Sequence, residues 1–301
     1  MNRTLKIHLA LFVVALLYAA TFSIAKIVMP EFVQPSAFIL MRVTVALVCI
    51  FIFHAVVVKQ KIHDRKDYRK LFISALFGVA FNMLLFFKGL SITTPINGAV
   101  LMLNTPIFVV VFAALLLKEK LSVQKVLGIL IAAFGALMLM GGTRFRFDSD
   151  KVWGDVFIML NAIIYAFYLV YAKSLMHKYH PLTVTLWSFF FGFFVVLPFG
   201  ISDFVQTDWQ SFTPIVWWSI AFVTIGTTFM TYVLNAYALR HATSSLVGSY
   251  IYLQPVMAVV IALILGKDAL TLEKVLDIAV IFGGVFLVNW KASRAAITKT
   301  A

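Results

Sequence analysis

Thr224, Thr228, Thr231 and Asn235 follow one another at i, i+4, i+7 and i+11 through an otherwise apolar run. At helical periodicity they form one polar stripe. Asn161, Tyr165 and Tyr168 repeat the pattern at i, i+4 and i+7, and Tyr18 and Thr21 stand three apart. Asn97 and Asn104 are seven apart, Tyr250 and Gln254 four apart, and Asn82 sits in a further apolar run. These groups donate and accept hydrogen bonds, and none is a nucleophile with a base beside it. Their chemistry is recognition of a polar solute. The plainer use is interhelical glue, at about 0.6 kcal/mol per contact in a membrane. Any single threonine fits that use. The stripes together favour one water-accessible cavity that they share.

Arg42 is the one basic residue well inside an apolar segment. A buried guanidinium needs acceptors or an anion. It is a candidate anion contact for a substrate carboxylate, although bonding to helix-end carbonyls or snorkelling outward is the stronger expectation. Pro106 and Pro255 sit mid-segment and read as paired kinks or hinges. No H-E-x-x-H, G-x-S-x-G or carboxylate cluster is present, and the six histidines show no metal-ligand spacing. The sequence implies no catalytic residue, metal or cofactor.

The elements that must position these residues are membrane helices. The chain is 62% hydrophobic and 12% charged, more apolar residue than a soluble core can hide. Ten apolar segments are read: 8–25, 36–58, 71–87, 96–117, 126–142, 156–172, 182–202, 212–239, 242–266 and 274–290. Stretches of about 17 to 25 residues suit a hydrocarbon core of about 30 Å, and in lipid the backbone must satisfy itself within helices. The expected fold class is an all-α polytopic membrane protein of ten transmembrane helices. The connections 59–70, 143–155 and 203–211 are too short for a separate domain, and the lone Cys49 cannot form an intrachain disulfide.

The second half repeats the first. Pro106 aligns with Pro255, Lys118-Glu119 with Lys267-Asp268, Lys125-Val126-Leu127 with Lys274-Val275-Leu276, and Gly135 with Gly284. Tyr18 aligns with Tyr165, Lys26 with Lys173, and Asn82 with Thr231. Five segments separate each pair, and an odd number inverts the second copy. The expectation is two inverted five-helix repeats, 1–145 and 150–301, forming one transport unit that rocks around a midplane site. The stretch 143–155 reads as the hinge between them.

Net charge is +13. With the N-terminus in the cytoplasm, seventeen Lys and Arg fall on the inner side and seven on the outer. The positive-inside rule then places both termini in the cytoplasm. The 59–70 cluster serves as a topology anchor, and the basic charge implies no nucleic-acid partner.

Several stretches resemble the EamA-type ten-helix branch of the drug/metabolite transporter superfamily. In the second half these are Tyr237-Ala238-Leu239-Arg240, Leu253-Gln254-Pro255-Val256 and Leu265-Gly266-Lys267-Asp268-Ala269-Leu270. In the first half they are Met41-Arg42, Lys88-Gly89-Leu90, Thr105-Pro106 and Leu117-Lys118-Glu119-Lys120-Leu121. The resemblance covers nearly the whole chain. It implies a multi-pass inner-membrane carrier with a central cavity, moving small metabolites, amino acids prominent among them, often for export. The chain departs from the pattern at Gln254, where relatives often carry Glu, at Lys118, where they often carry Gly, and at Asp268 in place of Glu.

The expected function is an alternating-access carrier for an amino acid or similar zwitterion, an exporter or facilitator. A flippase of a lipid-linked sugar is the alternative, and an intramembrane enzyme a weaker one. The partners are the small-molecule substrate and the lipid bilayer, and the sequence carries no signal for oligomeric state. Asp155, Asp268 and the other carboxylates read as helix-end positions, so transport down the substrate's own gradient, or exchange, is expected.

Overall fold

The computed structural model describes residues 3–118, 122–139, 150–241, 250 and 253–297. Every regular element among them is helical. Helix α1 spans Arg3–Val28, α2 Pro35–Phe53 and α3 Arg65–Ala75. A wide π turn at Leu76–Ala80 joins α3 to α4, Phe81–Ile92. Then come α5, Pro95–Leu101, a 3₁₀ turn at Met102–Asn104, α6, Thr105–Leu117, and α7, Val123–Leu139. The second half holds α8, Asp150–Tyr171, α9, Lys173–Lys178, α10, Pro181–Gln206, and α11, Pro214–Ala221. A nine-residue π segment, Phe222–Met230, leads into α12, Thr231–His241. Helices α13, Leu253–Ile264, and α14, Leu272–Ile297, follow.

Seven helical stretches among the described residues are long and apolar enough to cross a membrane, and Val123–Leu139 and Leu253–Ile264 are shorter apolar helices. The chain is therefore an all-helical, polytopic membrane protein. Helix α1 shows how the faces are chosen. Leu5, Leu9, Phe12 and Leu16 are exposed, while Leu11, Val14, Ala15 and Ala19 are buried. Large residues face the hydrocarbon, where exposure costs nothing, and small ones pack inward. That inward face also carries Tyr18.

Two expected connections are shorter than the composition suggests. Asp64 caps α3 by accepting from Lys66 N at 2.9 Å, so Arg65, Lys66, Arg69 and Lys70 lie on the helix rather than in a loop. Within the expected hinge 143–155, residues 150–155 already form α8, and 143–149 lie outside the described residues. Charged residues in a first helical turn lower local hydropathy without ending the helix.

The two halves interleave. Helix α1 packs on α12 and α13, and correspondingly α8 packs on α4 and α6. The most extensive pairing is α7 against α14. There a Cβ on Gly135 would lie 2.8 Å from Ile281 Cγ1, and one on Gly284 would lie 2.5 Å from Ala132 N. The glycines let the two backbones touch.

Candidate functional site

The centre of the bundle holds a hydrogen-bonded group drawn from both halves. Arg42 Nε on α2 donates to Thr228 Oγ1 at 2.6 Å, and the guanidinium carbon lies 4.9 Å from the Phe87 ring centroid on α4. Arg42 is only 8% exposed. It therefore turns inward; snorkelling is ruled out because its acceptor and its aromatic floor both lie inside the bundle. A desolvated guanidinium over an aromatic face gains cation–π attraction. Thr228 Oγ1 donates in turn to Val223 O at 3.1 Å, and Tyr18 shares a hydrogen bond with Thr231.

Tyr165 and Tyr168 stack on α8, with centroids 5.8 Å apart and planes at 25°. Tyr168 lies against Gly78, where a Cβ would come within 2.5 Å of its ring. Tyr18 and Tyr165 are deep in the bundle yet keep part of their surface accessible.

The other expected site residues divide by position. Thr21 Oγ1 donates to Leu17 O at 2.9 Å, and Asn104 Nδ2 to Leu101 O at 3.0 Å, so both are satisfied by their own helices. Asn161 Nδ2 donates to Asn82 O at 2.6 Å and ties α8 to α4. Asn82, Asn235 and Gln254 are half-buried. Asn97 and Tyr250 leave the centre in opposite directions. Tyr250 meets His8 Nδ1 at 2.7 Å near the start of α1. Asn97 Nδ2 donates to Asp155 Oδ2 at 3.1 Å near the start of α8. Pro106 is the second residue of α6, just beyond the 3₁₀ turn at 102–104, and Pro255 is buried near the start of α13.

The threonine stripe is wider than its spacing implies. It runs through the π segment, where bonds reach five residues back, as Thr228 to Val223 does. Thr227, absent from the expected face, is fully buried and back-bonded to Val223 O.

A second polar cluster sits at one end, where α4 turns into α5. Lys26 Nζ donates to Thr93 O at 2.6 Å, Leu90 O at 3.0 Å and Ser91 O at 3.3 Å. Thr93 Oγ1 donates to Asp155 Oδ1. Asp268 Oδ2 accepts from Ile96 N at 3.0 Å, and its Oδ1 from Lys274 Nζ and Ala269 N, both at 2.8 Å. Burial alone would push the Asp268 carboxyl up, but the hydrogen bonds from Lys274, Thr94, Ala269 and Ile96 together hold it below the usual carboxylate range.

Asp155 is near a helix end, as expected, but only 2% exposed. Gly89 and Gly154 cause this burial: a Cβ on Gly154 would lie 2.7 Å from Thr93 N, and one on Gly89 would lie 2.7 Å from Gly154 O. The sequence reading also missed Lys26, Thr93 and His8 as partners. The alignment of Lys26 with Lys173 was the one signal for the first of these.

Two apolar grooves of about 390 and 240 Å³ lie elsewhere. The larger is walled by Cys49, Ile52, Phe53, Val56, Val57 and Phe229, and the smaller includes Pro255. No stripe threonine, asparagine or tyrosine lines either of them. Among the described residues no three His, Cys, Asp or Glu converge as a metal site.

The comparison that decides the family is a match of the EamA-like transporter family to residues 5–141 and again to 152–290. The chain belongs to the EamA-like transporter family. An Archaeoglobus fulgidus protein described as an uncharacterized transporter is 27% identical over 86% of this chain and 90% of its own. The Bacillus subtilis uncharacterized transporter YyaM is 26% identical over 93% of this chain and 92% of its own, and YoaV of the same species 22% over 97% and 99%. A solved crystal structure superposes with a TM-score of 0.63 at 18% identity, covering 98% of this chain and 99% of that one. That likeness speaks to fold alone. This EamA-like protein is thus a membrane transporter.

Proposed function

We propose that the protein is an alternating-access carrier for a small amphipathic metabolite bearing a carboxylate, an amino acid or similar zwitterion. It is an exporter or facilitator of the cytoplasmic membrane and not an enzyme. Ten helices form two inverted repeats, 1–145 and 150–301, with both termini in the cytoplasm. The interleaved packing of α1 and α8 supports the symmetry, and the charge distribution supports the orientation.

The observation that carries the substrate class is Arg42, a permanent cation held in the bundle over Phe87 and bonded to Thr228. A guanidinium can bind a carboxylate with two parallel hydrogen bonds. Tyr18, Tyr165 and Tyr168 supply hydroxyls and apolar ring faces for the rest of the solute. Pro106 and Pro255 act as the hinges.

The test is tracer uptake into vesicles holding the purified protein. Amino acids are offered beside the corresponding amines and amino alcohols, which lack the carboxylate. Amino acids should be carried and the decarboxylated analogues not. Arg42→Lys, which keeps the charge but loses the fork, should raise the half-saturating concentration about tenfold, as a loss of 1.4 kcal/mol would. Equal transport of amines and amino acids would defeat the proposal.

A further inference from the structure

The turn at residues 90–97, between α4 and α5, is gripped from three directions. Helix α1 contributes Lys26, whose ammonium uses three donors on the carbonyls of Leu90, Ser91 and Thr93. Those carbonyls belong to the last turn of α4 and its cap, where helix acceptors lack internal partners and the dipole is negative. From α8, Asp155 takes the Thr93 hydroxyl on one oxygen and the Asn97 amide on the other. The segment between α13 and α14 adds Asp268, seated on Ile96 N and braced from its own side by Lys274. One short turn of the first half is thus bound to two carboxylates of the second.

We infer that this grip is the outer gate of the carrier, and that the structure shows it shut. The inference rests on the reading of the chain as an alternating-access carrier. Opening of this end in such a carrier requires 90–97 to part from Asp155 and Asp268. Among the described residues the opposite end is held by a different set: Asp67 of the first half takes Lys178 and the Tyr179 hydroxyl of the second. The repeat places Lys173 where Lys26 stands, but Lys173 is exposed, while Lys26 is half-buried and engaged. His8 occupies the place of Asp155 and pairs with Tyr250 instead. Asp155 can engage only because Gly89 and Gly154 admit α8 against the turn. The gate is therefore set by backbone approach as well as by charge.

Two measurements on the full chain, with Cys49→Ser to remove the native thiol, test this. In the first, Thr94→Cys and Asp268→Cys are combined, since Thr94 hydrogen-bonds Asp268. Oxidation should join them and abolish transport in vesicles, and a reductant should restore it. Reversal shows that the protein had folded. Full transport by the cross-linked carrier would overturn the gate. In the second, Thr21→Cys, just beneath the turn, is labelled from outside by a membrane-impermeant maleimide. Asp155→Asn with Asp268→Asn should raise the labelling rate at least tenfold, and an unchanged rate in correctly folded protein would also overturn it. Labelling needs no substrate, so it judges the gate alone, whereas the amine and amino-acid comparison judges the substrate class alone.

Discussion

Gly283 and Gly284 are neighbours on α14, and replacing each with alanine should have opposite consequences. A Cβ on Gly284 would lie 2.5 Å from Ala132 N, 2.7 Å from Ala132 Cβ and 2.7 Å from Gly128 O. Around Gly283 nothing lies within 4 Å, and it faces outward. Alanine favours a helix over glycine by about 1 kcal/mol in water. In a bilayer the dissociated helices stay helical, so that gain is smaller. Whatever its size, it is the same at both positions and cancels in the comparison. What is left is overpacking, about 1–3 kcal/mol. The upper end is expected, because two of the three contacts at Gly284 are backbone atoms that no rotamer can move. At about 2 °C per kcal/mol for a chain of this size, Gly284→Ala should melt about 2–6 °C below Gly283→Ala in the same detergent. Tryptophan fluorescence or size-exclusion after heating can read the difference. Equal melting of the two variants would refute the close approach of α7 and α14.

Three further outcomes are expected. Asp67 is buried and holds Lys178 at 2.5 Å and the Tyr179 hydroxyl at 2.8 Å; Asp67→Ala leaves that hydroxyl's proton without an acceptor and should cost about 1–3 kcal/mol in thermal unfolding, whereas Lys70→Ala, an exposed partner 4.0 Å away, should cost well under 1 kcal/mol. The Asp268 carboxyl is held below its ordinary range, so its stabilisation is present above the unfolded carboxylate pKa and is lost as pH falls through the lower folded value; Asp268→Asn should lower the melting temperature between pH 5 and 8, with the gap from the parent closing only in stronger acid. Tyr165→Ala should depress transport in vesicles more than it depresses melting, and equal loss of both would assign Tyr165 to helix packing.

Helical membrane architecture was legible because lipid leaves the backbone no alternative, and apolar runs long enough to span are hard to mistake. The i, i+3 spacing of Tyr165 and Tyr168 was legible as one helix face, and the two rings stack there. The burial of Asp155 was not legible, because position along a helix does not determine burial. Its enclosure depends on two glycines, one on each helix, that happen to face each other. Tyr250 was placed at the centre because helical spacing gives a face but no depth, and depth is set by the partner His8 on another helix. Lys118 adopts a left-handed backbone at φ 55. This explains why glycine suits that position, since a side chain there costs about 1–2 kcal/mol; it is a departure the sequence could flag but not interpret.

The π segment Phe222–Met230 has a consequence for how this chain tolerates changes in length. A residue inserted into or deleted from an α-helix turns everything beyond it by about 100°. In lipid the surplus cannot be looped out, because its backbone groups would find no partner. A wide turn can absorb it, passing between π and α winding while every amide stays bonded. One-residue insertions and deletions should therefore be tolerated within 222–230. The same change after Thr231 would swing Ala238 away from Ile7 and Leu11 on α1. The middle of this helix is thus its natural place for gaining or losing a residue.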